Sequence, residues 1–120
     1  MGYRSEVILA IGPDIVPHFM TLMARCPQAR ELCWSQSSEL IKDYAAIEGA
    51  LCFRWASIKW YESYVGVRAI QQFLSWCEDE GPDGIDATEH FRFVRIGEEM
   101  DDTTLLGYGF SIHVERVISY

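Results

Sequence analysis

The stretch that most restricts what this chain can fold into is the run Val7-Ile8-Leu9-Ala10-Ile11, stopped at once by Gly12-Pro13. Five consecutive apolar residues are too few for a helix, and the turn residues that follow close them as a short buried strand. The rest of the chain must supply that strand's sheet. Asp14 stands where a helix cap belongs, before an inner stripe of Ile15, Phe19, Leu22, Met23 and Cys26 at helical spacing. Pro17 fits only in the first turn of that helix, and Pro27 is expected to end or break it. Residues 28–38, with Leu32, Cys33 and Trp34, read equally as a further helical turn or as a loop.

From Leu40 to Trp60, aromatic and branched residues surround one turn signal, Glu48-Gly49, which predicts an antiparallel hairpin. In its second strand Leu51, Phe53 and Trp55 alternate with Cys52, Arg54 and Ala56, so one face is strongly apolar and the other mixed. A helix over about Val65 to Glu78 places Val67, Ile70, Phe73, Leu74 and Cys77 inward, and Gly81-Pro82 closes it. His90 to Ile96 reads as another strand, with Phe91 and Phe93 on one face. The clearest alternation is the last: Phe110, Ile112, Val114, Ile118 and Tyr120 against Ser111, His113, Glu115 and Ser119. This order predicts an α+β fold: an antiparallel sheet with two helices on one face, ferredoxin-like (βαββαβ), with an extra C-terminal strand. The uncovered sheet face must then be polar, capped by a loop, or used for association.

At 120 residues and 49% apolar content the whole chain, 1–120, is expected to form one domain with its own core. Cys26, Cys33, Cys52 and Cys77 form no CxxC pair and lie in or beside apolar runs, so they read as reduced, mostly buried thiols. The first residues lack a basic stretch followed by a long apolar one, and no run is long enough to span a bilayer. The expected location is the cytoplasm.

Eighteen acidic residues against ten Lys and Arg give a net charge of −8, which argues against nucleic acid or an anionic membrane as a direct partner. Ten of the acids, including Asp83, Asp86, Glu98, Glu99, Asp101 and Asp102, fall between Glu78 and Asp102, where only Arg92 and Arg95 oppose them. Such a segment suits a basic partner surface. The same strand-end carboxylates, with His90 or His113, offer an alternative as a metal-dependent enzyme or metal-binding protein, although the spacing of a calcium loop is missing. No cofactor motif is present, and the three histidines lie on separate elements without a nucleophile signature. The second candidate surface is aromatic: Trp55, Trp60, Tyr61 and Tyr64, residue types that serve as interface anchors. Lys59, beside Trp60 and Tyr61, reads either as a cation over aromatic rings or as a strand residue turned outward.

Three stretches, MGYRSEV at the start, IKWYESYVGVRAIQQFL in the middle and FRFVRIGEEMDD near the end, resemble a loose family of small, mostly uncharacterised proteins of tailed phages and prophages. The resemblance covers about a third of the chain. It implies a phage or prophage origin, and small phage accessory proteins often bind and block a host enzyme or a defence complex, including CRISPR effectors. The resulting expectation is a non-enzymatic accessory protein, a homodimer, that modulates or inhibits a host protein. A minor virion or assembly component is the structural alternative.

Overall fold

In a computed structural model, which describes residues 3–99 and 101–110, the chain forms a five-stranded antiparallel sheet and three α-helices. The order along the chain is β1 (Ser5–Ile11), α1 (Val16–Arg25), α2 (Pro27–Trp34), β2 (Glu39–Lys42), β3 (Leu51–Ile58), α3 (Val65–Asp79), β4 (Phe91–Ile96) and β5 (Thr103–Leu106). Across the sheet it is β2-β3-β1-β4-β5. The apolar run of β1 takes the centre, flanked on both sides, and its residues from Val7 to Ile11 are fully buried.

The register shows why a run apolar on both faces belongs there. Val7, Leu9 and Ile11 stand across from Trp55, Phe53 and Leu51 of β3, and Leu9 and Ile11 also from Phe93 and Phe91 of β4. This face packs under all three helices, through Ile15, Phe19 and Met23 of the α1 region, Leu32 and Cys33 of α2, and Val67, Ile70, Phe73 and Leu74 of α3. The alternate residues Ile8 and Ala10 turn to the other face and join Cys52, Val94 and Ile96 in a second buried cluster, against which Ile41, Tyr44 and Phe110 pack. The second face is thus apolar at its centre rather than polar. Each fully buried aliphatic side chain contributes about 1.5–3 kcal/mol of transfer free energy.

Several expectations are corrected here. Asp14 does not cap α1; the cap position is Ile15, without a side-chain hydrogen bond, and the Asp14 carboxylate lies 3.4 Å from His90 Nδ1. Pro27 does end α1, yet it also opens α2 as its first residue, where its missing N–H has no helical partner to lose. Residues 27–34 are therefore a third helix. The segment "TTLL", to which the sequence reading assigns no element, is the edge strand β5, paired in register with β4 from Phe93↔Leu106 to Ile96↔Thr103. The strand expected over 110–120 lies, beyond Phe110, outside the described residues.

The predicted hairpin is present, with Glu39 to Lys42 opposite Arg54 to Leu51. Its connection is longer than a simple turn and is held by Asp43, whose carboxylate accepts from the Gly49 N–H at 2.8 Å. All four cysteines are free. Burial pushes the Cys33 and Cys52 thiols up to about 12 and Cys77 to about 11, which keeps them protonated and unreactive near neutrality. No helix among the described residues is long and apolar enough to cross a membrane.

Candidate interaction surface

The antiparallel order brings the start of β1 and two connections to one end of the sheet. Ser5 stands across from Ile58 at the end of β3, and Glu6 from Ile96 at the end of β4. The start of β1, the β3–α3 connection and the β4–β5 hairpin loop therefore meet there, spread over two strand spacings, about 10 Å. The opposite end of the sheet carries the segment between α3 and β4.

This geometry divides the acidic segment. Glu78 to Glu89 precede β4, whereas Glu98 to Asp102 follow it, so the length of a six-residue strand, about 20 Å, separates the two groups. They are two acidic poles and not one strip. At the first pole Asp83 is exposed, and Asp86 caps a short 3-10 turn by accepting from the Thr88 N–H at 3.1 Å and from its hydroxyl.

At the second pole the hairpin loop is braced from within. Asp102 accepts from both terminal nitrogens of the Arg95 guanidinium and from the Tyr3 hydroxyl at 2.6 Å, and that hydroxyl in turn accepts from the Glu99 N–H at 3.0 Å. Gly97 makes room for this knot: a β-carbon there would stand 2.1 Å from an Asp102 carboxylate oxygen. Glu98 accepts from the backbone N–H of Arg4 at 2.7 Å. Of the four carboxylates singled out in the sequence, Asp102 is committed to holding the loop, Glu98 is partly committed, and Glu99 and Asp101 point their charge at solvent from a fixed loop. Among the described residues no three His, Cys, Asp or Glu side chains are grouped as ligands for a metal ion.

The hydrogen bonds of the knot set its protonation. Arg95, and after it Tyr3, hold the Asp102 carboxyl below the usual carboxylate range, while the Asp102 contact raises the Tyr3 hydroxyl above its ordinary value. A depressed carboxyl contributes stability that is present above its unfolded value and lost as the pH falls through its folded one. The raised Tyr3 group works in the opposite direction: its contribution is present below the ordinary tyrosine value and is lost as the pH climbs through the raised one. Asp102→Asn is expected to cost about 1 kcal/mol at neutral pH, a small figure because solvent screens a partly exposed pair. It should also flatten the acid limb of the stability profile. Urea titrations of both proteins between pH 2 and 7 check this, and parallel acid limbs would show that Asp102 is not a member of the knot.

The aromatic set divides too. Trp55 and Trp60 are in the core, 1% and 8% exposed, with their rings 5.2 Å apart and Trp60 5.8 Å from Phe93. Trp55 donates its indole N–H to the Leu32 carbonyl at 2.9 Å. Neither ring is available to a partner in this fold. Tyr61 and Tyr64 pair at 5.3 Å, and Tyr64 is 47% exposed, so these two remain as surface anchors.

Sequence reasoning passed over Tyr3 and Arg4, which tie the beginning of the chain to the hairpin loop. It also assigned no role to Met20, or to Trp34 in the segment read as helix or loop, and both are exposed. No protein-family model, curated protein or solved structure matches this chain.

Proposed function

We propose that the protein is a non-enzymatic interaction protein of phage or prophage type that binds a host protein with a basic surface through the end of the sheet carrying the β4–β5 hairpin. The observation that supports this reading best is the placement of Glu98, Glu99 and Asp101 on a loop locked by the Arg95–Asp102–Tyr3 knot, at the same sheet end as the Tyr61–Tyr64 pair. Fixed carboxylates lose little conformational freedom on association, and exposed aromatics supply anchor area beside them. Blocking of a nucleic-acid-handling or CRISPR-type defence complex is the form of this reading that the phage resemblance suggests, since such complexes present basic grooves. We further infer that the architecture is ferredoxin-like. Support comes from the order β2-β3-β1-β4, with helices in both crossovers, extended by β5.

The test is a tagged pull-down from lysate of the host bacterium with the parent chain and with the double variant Glu99→Gln/Asp101→Asn, washed at low and then at high salt. Asp102 is left intact because its loss disturbs the loop itself. One stoichiometric partner that the parent retains at low salt, and that high salt or the double variant releases, is the expected result. Equal retention of the same partner by both proteins at both salt concentrations would exclude the acidic hairpin as the binding element.

A further inference from the structure

We propose that the connection between β3 and α3, residues 59–64, is a strap that opens while the sheet stays folded and carries Trp60 out of the core. In the closed position described above, Trp60 is 8% exposed and packs its ring 5.2 Å from Trp55 and 5.8 Å from Phe93. Open, it joins Tyr61 and Tyr64 as a third aromatic anchor at the sheet end that carries the acidic hairpin. That use rests on the partner-binding reading, whereas the opening itself does not.

Two tryptophans of one stack differ in how they are held. Trp55 gives its indole N–H to the Leu32 carbonyl at 2.9 Å, but the Trp60 indole N–H is shut off from solvent and meets no acceptor among the described residues. Water would satisfy that donor, so enclosing it opposes the gain from burying the ring. Trp60 is therefore a core ring whose own polar atom favours release.

Little else fastens the connection. Among the described residues its hydrogen bonds are two, from the Tyr64 N–H to the Tyr61 carbonyl at 3.0 Å and from the Arg68 N–H to the Tyr64 carbonyl at 2.9 Å, and neither ties residues 59–63 to the sheet. Lys59 and Tyr61 are half-buried, and Glu62, Ser63 and Tyr64 are exposed. The ladder that leads into the strap is also irregular: between Val7↔Trp55 and Ser5↔Ile58, β3 advances three residues against two of β1, the mark of a bulge. Pairing with β2 ends earlier, at Glu39↔Arg54, so the last residues of β3 are laddered on one side only among the described residues. The other end is firm, since Gly66 and Val67 are buried and a β-carbon at Gly66 would lie 2.8 Å from the Gln28 carbonyl oxygen of α2. The strap thus pivots at the bulge while α3 stays in place.

The experiment is native-state hydrogen exchange of the full chain, read from the NMR signals of the tryptophan indole protons at rising urea below the unfolding transition, with the Trp60→Phe spectrum assigning the Trp60 signal. The Trp60 proton is expected to exchange at least about tenfold faster than that of Trp55, at a rate that urea leaves unchanged, because a local opening exposes little surface. The Trp55 proton should instead speed up with urea, as global unfolding does. Trp60→Phe removes an unpaired donor and should shift the thermal midpoint by at most about 2 °C, against a fall of about 4 °C or more for Trp55→Phe, which strands the Leu32 carbonyl. Equal urea dependence of the two indole protons, or an equal fall in midpoint for the two variants, would overturn the proposal. Both readings use the chain without a partner, so a failed pull-down leaves the opening standing and a failed opening leaves the acidic hairpin untouched.

Discussion

Trp55→Ala is expected to lower the unfolding free energy by about 3–5 kcal/mol, the range for removing a large aromatic ring from a packed core. The side chain is 1% exposed, lies stacked with Phe53 at 6.1 Å, and touches Trp60. Its loss opens a void between β3 and α2 that rigid strands cannot collapse to fill. The substitution also strands the Leu32 carbonyl, which receives the indole N–H. Trp55→Phe separates these contributions: it keeps most of the ring area and removes the donor, so it should cost about 1–3 kcal/mol. Urea denaturation followed by circular dichroism reads both. A cost below about 1 kcal/mol for Trp55→Ala would be incompatible with a core position. Any loss of partner binding in that variant is then an effect of unfolding and says nothing of a surface role for Trp55.

The second large effect is expected at Gly107. This residue has a φ of +76° and sits against the start of β4, where a β-carbon would lie 2.2 Å from the Phe91 carbonyl oxygen. The same carbonyl accepts from the Gly109 N–H at 2.8 Å, and the Gly107 carbonyl accepts from the Arg92 guanidinium at 2.6 Å, so the backbone cannot retreat without breaking bonds. Gly107→Ala should therefore cost at least about 3 kcal/mol, from left-handed strain plus steric overlap. Gly84→Ala supplies the control: its φ is +87° and nothing lies within 4 Å of the added carbon. That substitution carries the backbone contribution alone, about 1–2 kcal/mol. Equal costs at the two positions, measured by thermal or urea unfolding, would show that residues 107–109 do not pack on β4 as described.

These two positions differ in how far the sequence announces them. Trp55 declares itself through alternation, since Leu51, Phe53 and Trp55 fall on one side of a strand. Trp60 is not placed by that alternation: it lies two residues past the end of β3 at a position of opposite parity, and the connection to α3 turns it into the core. Gly107 is visible as a turn residue, but the close approach to Phe91 is not, because the two residues meet only once β5 has returned along β4. The strand β5 itself is hidden for a local reason: four residues, two of them threonine, follow a run of acids and are too few to display a period. The helix α2 is obscured by Pro27, whose ring stops one helix and starts the next with equal ease.

The chain by itself determined the kinds and approximate limits of the elements other than α2 and β5, the apolar inner stripes and the strong negative charge. Each of these depends on periodicity or composition within a few residues of the chain. Only the tertiary structure decided which charges are free. Asp102 is spent on Arg95 and on Tyr3, 99 residues away, and Glu98 on the backbone of Arg4, 94 residues away. It also decided that the acids form two poles and that Trp60 is buried against Phe93 of β4. Those relations are set by strand order, and strand order follows from burying both faces of β1 at once, a requirement that no local window of the sequence expresses.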